Sequence, residues 1–130
     1  MIVDASAMVA ILLEEPEGNR FGVALAGSGA CRMSSAGFLE ASMILQARKG
    51  ADGVRDLDLL IARIRIEIVA FTESQARLAR TAFVRYGKGR HPAQLNFGDC
   101  MAYALARETG EELLFKGTDF AQTNVTAALY

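Results

Sequence analysis

The chain opens Met1-Ile2-Val3-Asp4-Ala5-Ser6-Ala7-Met8-Val9-Ala10-Ile11-Leu12-Leu13 and then turns charged at Glu14-Glu15. Met1 to Val3 reads as a short strand ending at Asp4. Ala5 to Leu13 is apolar nearly all round, as a buried helix is. The same alternation of strand and helix continues outward from this start. Pro16 stands at a helix-opening position, Phe21, Ala24 and Leu25 mark the face of a second helix, and Gly27 and Gly29 close it. Cys31 to Met33 reads as a strand. Ser34 and Ser35 then serve as N-caps for a helix from about Ala36 to Arg48, which ends at Lys49-Gly50. Gly53 to Ile64 repeats the helical period through Leu57, Leu60, Ile61 and Ile64, and Ile66 to Phe71 reads as a strand. Thr72 and Gln75 form a capping box opening a helix to about Tyr86. After the loop Gly87-Lys88-Gly89-Arg90-His91-Pro92, Asn96-Phe97-Gly98-Asp99 leads into a helix to Thr109, ended by Gly110. Leu113 to Phe115 is the last strand, and Thr118-Asp119-Phe120 is a turn. Strands separated by helices need crossover connections, so the expected fold is α/β, with a mainly parallel central sheet and helices on both faces. No repeat or linker divides residues 1–130, which read as one domain.

Composition narrows the function classes. With 52% hydrophobic residues, 22% charged and 2 Pro, the chain is not a disordered one. Its 14 Lys and Arg against 15 Asp and Glu leave a net charge of -1, so no bulk field draws it onto nucleic acid or an anionic membrane. Any nucleic-acid binding has to come from a local patch. A mean hydropathy of +0.20 suggests that some apolar surface faces a partner. Cys31 and Cys100 form no C-x-x-C pair and His91 is the one histidine, so a structural zinc site lacks its ligands. Two free thiols suit a reducing cytosol. With no basic leader and no segment long enough to span a bilayer, the expectation is a soluble cytoplasmic protein with no membrane partner.

In a parallel sheet every strand-to-helix junction lies along the carboxyl edge, where ligands bind. Asp4, Glu40, Asp99 and Asp119 fall there, whereas Glu14-Glu15, Asp56, Asp58 and Glu111-Glu112 read as solvated surface. Structural roles exist for three of the four: Asp4 and Asp119 as caps, and Asp99 as an N3 acid three residues after Asn96. Glu40 lies at helical spacing from Gly37, Met43, Ile44 and Ala47, and Asp99 from Ala102, Tyr103 and Ala106. A lone carboxylate on an apolar face needs a partner or a ligand. Four converging carboxylates repel one another unless a cation or shared protons offset them. All-oxygen donors suit Mg²⁺ or Mn²⁺, and such an ion beside a phosphate supports phosphodiester hydrolysis without a catalytic histidine.

The Asp4-Ala5-Ser6-Ala7 start, the Glu40 helix, Asn96-Phe97-Gly98-Asp99-Cys100-Met101-Ala102-Tyr103 and Leu113-Leu114-Phe115-Lys116-Gly117-Thr118-Asp119-Phe120 come in the order seen in PIN-domain ribonucleases. The chain most nearly resembles the VapC toxins of bacterial type II toxin–antitoxin pairs, over its whole length. The resemblance implies a single PIN-like domain and a Mg²⁺-dependent endoribonuclease whose catalytic acids are Asp4, Glu40, Asp99 and Asp119. Asp4 and Asp99 would be the firmest metal ligands, with Ser6 and Thr118 as supporting polar residues. It also implies 5′-phosphate and 3′-hydroxyl products, a homodimer, and a VapB-type antitoxin covering the acidic groove. Asn124 stands where many such toxins carry an acid.

A Gly-rich loop with basic side chains can follow a phosphate backbone, which makes Lys88, Arg90 and His91, with Arg85 and Lys116, the candidates for RNA contact. The plain alternative is a solvated loop, and a lone loop histidine such as His91 is a weak choice of general base. Two rival functions are a phosphoacceptor signalling domain and a PIN-fold binding module without catalysis. The first lacks an acceptor Asp after Ile66 to Phe71, and the intact set of four acids speaks against the second. Apolar side chains in the first helices (Met8, Val9, Ile11, Leu12, Leu13, Phe21, Val23), with Ile44 and Leu60, are open to a dimer or antitoxin interface as well as to the core.

Overall fold

Four short strands, β1 (Ile2–Val3), β2 (Arg32–Ser34), β3 (Glu67–Val69) and β4 (Leu113–Leu114), form an all-parallel sheet in the order β3-β2-β1-β4. Ile2 pairs with Arg32 on one side and Leu113 on the other, and Met33 pairs with Ile68. The structure is a computed structural model and describes residues 1–130. Five helices complete it: α1 (Ala5–Leu12), α2 (Gly18–Gly27), α3 (Ser35–Ile64), α4 (Glu73–Tyr86) and α5 (Phe97–Thr109), with a 3-10 turn at Phe120–Gln122. The expected α/β architecture is the one observed.

Side chains alternate across a strand, so the sheet feeds two cores. Val3, Met33 and Leu114 join Met8, Phe21, Leu25, Leu45 and Leu57 under α1, α2 and α3. Ile2 and Leu113 join Ala82, Leu95, Ala104, Leu105 and Phe120 on the opposite face. There α5 lies against the sheet and α4 packs on its outer side, which is why Cys100 through Ala106 are all buried. Met8 and Phe21 are therefore core residues, while Val23 is 74% exposed.

Several boundaries differ from the sequence reading for local reasons. The two helices expected on either side of Gly50 are both present and abut directly within α3, separated by a kink where Gly50 leaves helical geometry at φ 64° and ψ −150°. A side chain at that positive φ is strained, so glycine is what allows the bend. Thr72 caps α4 as expected, its hydroxyl accepting from the Gln75 N–H at 3.2 Å. Gln75 does not complete a capping box: its side chain is buried against α5 and donates to Glu108 at 2.8 Å. Glu111, read as solvated surface, instead pairs with Arg32 across β1. No helix is long and apolar enough to cross a membrane.

Candidate active site

Asp4 leaves β1 as the N-cap of α1. Its Oδ2 accepts from the Ser6 N–H at 3.0 Å and from the Ser6 hydroxyl at 2.5 Å, and the residue is 4% exposed. The same Ser6 Oγ accepts from the Lys116 N–H at 3.0 Å, which ties the end of β1 to the segment after β4. Asp99 is the N3 residue of α5. Its Oδ2 accepts from the Asn96 N–H at 2.9 Å while Asn96 Oδ1 accepts from the Asp99 N–H at 2.9 Å, a complete capping box. That role leaves the other carboxylate oxygen of Asp99 uncommitted. Asp119 precedes the 3-10 turn without making the capping hydrogen bond expected of it.

Glu40 projects from α3 toward the start of α5. A Cβ built on Gly98 would overlap its carboxylate, so the Glu40 side chain rests on the first turn of α5 in space only glycine leaves. The apolar stripe assigned to Glu40 from the sequence is not observed in that form. The buried stripe of α3 is Ala41, Leu45 and Leu57, one residue further round, and Met43 is 64% exposed. Glu40 therefore lies at the margin of the core, half-buried and facing a cleft.

That cleft, of about 360 Å³, brings together Asp4, Glu40, Asp99 and Asp119, with Ser6, Asn96, Lys116 and Arg48 also on its walls. Burial raises the Asp4 carboxyl against the pull of the Ser6 hydrogen bonds, and Asp119 adds to the rise. Burial first, then the charges of Asp4 and Asp99, lift Glu40 to about 7. Asp99 rises to about 6 through burial, opposed by the Asn96 N–H and assisted by Asp4 and Asp119. None of the four forms an ion pair. The neighbouring cation Lys116 is engaged by Glu15 and, at 3.7 Å, by Glu17. Glu15 thus belongs to the cleft wall rather than to solvated surface.

Asp4, Glu40 and Asp99 have raised proton affinity and, with Asp119, no counter-ion, which is the chemistry of a hard-cation site. The side chains do not close three acids on one point. Mg²⁺ does not demand such a cage, because it keeps several waters and takes one or two carboxylates together with a substrate phosphate. The residues fit that ion.

The other expected residues lie outside the cleft lining. Thr118 is exposed. Lys88 and Arg90 are exposed on the loop before α5, with the Arg90 guanidinium 5.7 Å from the Phe83 ring. His91 is tied into that loop: Nδ1 accepts from the Ala93 N–H at 3.0 Å and its ring meets Tyr86 edge-on at 5.1 Å. It is not placed as a general base. Asn124 lies on the outer side of α5, where Oδ1 accepts from the Tyr103 hydroxyl at 2.7 Å. The sequence reading missed Arg48. Its spacing from Glu40 and Ile44, four residues at each step, is the signal that would have found it.

Acids delivered from β1, α3, α5 and the turn after β4 to the carboxyl edge of a four-stranded parallel sheet define a PIN domain, and the PIN domain family model matches residues 1–125. Relatives narrow this further. Ribonuclease VapC30 of Mycobacterium tuberculosis is 46% identical over 130 residues, covering 99% of each chain. The chain belongs to the VapC branch of the PIN domain family. Two solved structures share the fold at low identity. VapC20 of Mycobacterium tuberculosis, a sarcin–ricin-loop-cleaving toxin, has a TM-score of 0.81 at 16% identity over 98% of this chain and 97% of that one. A toxin–antitoxin complex from Klebsiella pneumoniae has a TM-score of 0.74 at 15% identity over 99% and 97%. Family and topology together displace the signalling-domain reading, since β3 is an edge strand with no acid at its carboxyl end.

Proposed function

We propose that this protein is the toxin of a type II toxin–antitoxin pair and a Mg²⁺-dependent endoribonuclease that hydrolyses RNA to 5′-phosphate and 3′-hydroxyl ends in the cytoplasm. The observation that carries the reading is the cleft in which Asp4, Glu40, Asp99 and Asp119 meet without a basic partner. The 46% identity to a VapC ribonuclease over nearly the whole chain supports it.

Asp4 and Asp99 would hold the ion, and Mn²⁺ would suit the same oxygens. When bound, the ion lowers the pKa of a water and offsets charge on the phosphoryl group. Ser6 fixes the rotamer of Asp4 through two hydrogen bonds to one oxygen, which leaves Oδ1 to face the cleft. Asn96 orients Asp99 through a single hydrogen bond, from its N–H to Oδ2. Glu40, titrating near 7, accepts a proton from the attacking water at a carboxylate oxygen. Asp119, exposed and uncapped, completes the acidic wall.

RNA reaches this cleft along a basic ridge. Residues 74–98 contain no Asp or Glu but carry Arg77, Arg80, Arg85, Lys88 and Arg90, five of the chain's 14 Lys and Arg. All five side chains are exposed, and Arg77 is paired with Glu73 at 3.1 Å while the other four make no ion pair. The loop that bears Lys88 and Arg90 abuts the cleft, because Asn96 follows it and Gln122 donates to Pro92 at 3.4 Å. A homodimer is favoured by the apolar groove of about 400 Å³ between α4 and α5, lined by Phe71, Ala79, Phe83 and Met101 and edged by Phe97, which is 81% exposed. The shared fold of a solved toxin–antitoxin complex supports a VapB-type antitoxin as the partner that would inhibit this protein.

The test is cleavage of total RNA by antitoxin-free protein with Mg²⁺, with chelator, and with Asp99→Asn in parallel. Discrete fragments that need Mg²⁺ and vanish in the variant support the reading. Folded protein that binds Mg²⁺ yet cuts no RNA presented to it leaves the binding-module alternative. Light scattering that returns a monomer at micromolar concentration refutes the homodimer.

A further inference from the structure

Arg48 stands at the far end of the acidic cleft. Glu40, Ile44 and Arg48 are four residues apart on α3, ahead of the bend at Gly50, and all three line the cleft. At a rise of 1.5 Å per residue, the Arg48 backbone lies ~12 Å along the helix from that of Glu40. Arg48 is thus on the same cleft wall as Glu40 but about two helical turns away, and it makes no ion pair with Asp4, Glu40, Asp99 or Asp119.

Only two cations line this cleft, and their situations differ. Lys116 is held by Glu15 and Glu17. Arg48 is exposed and makes no ion pair with any carboxylate of the chain. Its neighbour Lys49, by contrast, reaches Leu12 O at 3.4 Å and Asp56 at 3.6 Å. A guanidinium with its donors unspent, at the mouth of a site built for a phosphodiester, calls for an anion from outside. Its planar fork matches two phosphate oxygens. An acidic protein segment would have to bring carboxylates past Asp4, Glu40, Asp99 and Asp119 with nothing to offset them, whereas an RNA strand carries its own cations.

We propose that Arg48 is a positioning residue that grips a flanking backbone phosphate of single-stranded RNA and so sets the register of the strand in the cleft. This rests on the ribonuclease reading above and adds to it where the substrate is held beyond the bond that is cut.

The experiment compares the full-length protein with Arg48→Ala and Arg48→Lys. Binding of a labelled single-stranded RNA oligonucleotide is measured by anisotropy over a salt series, and steady-state cleavage is measured alongside. For Arg48→Ala the expected result is about a tenfold weaker Kd and a salt slope shallower by about 0.7, the share of one phosphate contact on a single strand. KM should rise by the same factor with kcat within about twofold. Arg48→Lys should recover the slope and only part of the affinity, because the charge returns without the fork. Unchanged Kd and slope in Arg48→Ala, with Tm also unchanged, overturn the proposal, as does a loss of affinity for antitoxin alone. If the native protein binds RNA with this Arg48 dependence but never cleaves it, the ribonuclease reading fails and the Arg48 assignment stands. If the native protein binds no RNA, both fall.

Discussion

The carboxylate of Glu40 occupies the space in which a side chain on Gly98 would stand. Close contact with the first turn of α5 helps to place the Glu40 carboxylate in the cleft. In an unobstructed helix, Gly→Ala is worth about 0.5–1 kcal/mol in favour of the folded state. Here the added methyl has to move Glu40. Gly98→Ala should therefore keep its circular dichroism and a Tm near the native value while RNA cleavage falls by an order of magnitude or more. Native-level cleavage by a folded Gly98→Ala protein would show that the position of Glu40 is not needed.

Removing the buried charge at Asp4 separates stability from function. Its carboxyl is almost inaccessible and raised by burial, yet it also caps α1. Asn keeps an acceptor for the Ser6 N–H and carries no charge. Asp4→Asn should raise the Tm of metal-free protein by ~4 °C, about 1 kcal/mol in a domain of this size. It should also abolish both cleavage and the stabilisation that Mg²⁺ gives the native protein. Scanning calorimetry with and without Mg²⁺ reads both effects, and an undiminished Mg²⁺ response in the variant would remove Asp4 from the ion site.

The raised acids make metal-free protein sensitive to alkali rather than acid. Glu40 moves from 4.5 to about 7 and Asp99 from 3.8 to about 6 on folding. Through that interval the folded state holds protons that the unfolded chain has released, so stability is greatest below the lower values and declines as pH climbs to about 7. Glu40 is half open to solvent, which screens its share to about 1 kcal/mol. In chelator, Tm should fall across this range and level off above it. Glu40→Gln should flatten the upper part of the decline, and Mg²⁺ should remove most of it by competing with the protons. A Tm that rises between pH 5 and 7 in chelator would contradict the picture of uncompensated carboxylates.

Local chemistry was legible in the sequence and long-range contact was not. Asp99 reads as an N3 acid after Asn96 because both lie within one turn, and the structure contains the pair as a capping box. Gln75 has the same local credentials beside Thr72, but burial against α5 gives it Glu108 instead, a partner 33 positions away. Glu40 is identifiable from the sequence as an acid near the carboxyl edge, yet the phase of its helix reads one residue off. A helix advances about 100° per residue, so an apolar pattern including Met43 and Ala47 does not by itself tell the core face from an adjoining exposed one. Lys116 shows the same limit. Its place in the motif after β4 makes it a candidate for RNA contact, and in the fold it is paired with Glu15 and Glu17.

Asn124 tests whether a missing acid matters. The family resemblance leads one to expect a carboxylate here, and its absence raises the question of a weakened site. In the structure Asn124 serves a different purpose. Its Oδ1 accepts from the Tyr103 hydroxyl at 2.7 Å and its carbonyl accepts from Arg107 at 3.5 Å, which pins the C-terminal segment to α5 away from the acid cleft. An Asp at this position can accept the same tyrosine proton, so Asn124→Asp should leave kcat within about twofold and Tm within about 2 °C of native. Asn124→Ala strands the hydroxyl of the buried Tyr103 and should cost about 1 kcal/mol, again with little change in kcat. Melting curves and cleavage rates on the two variants decide the matter. A large rise in kcat or in Mg²⁺ affinity for Asn124→Asp would mean that the C-terminal segment reaches the cleft during catalysis, and that the four acids named above are not the whole site.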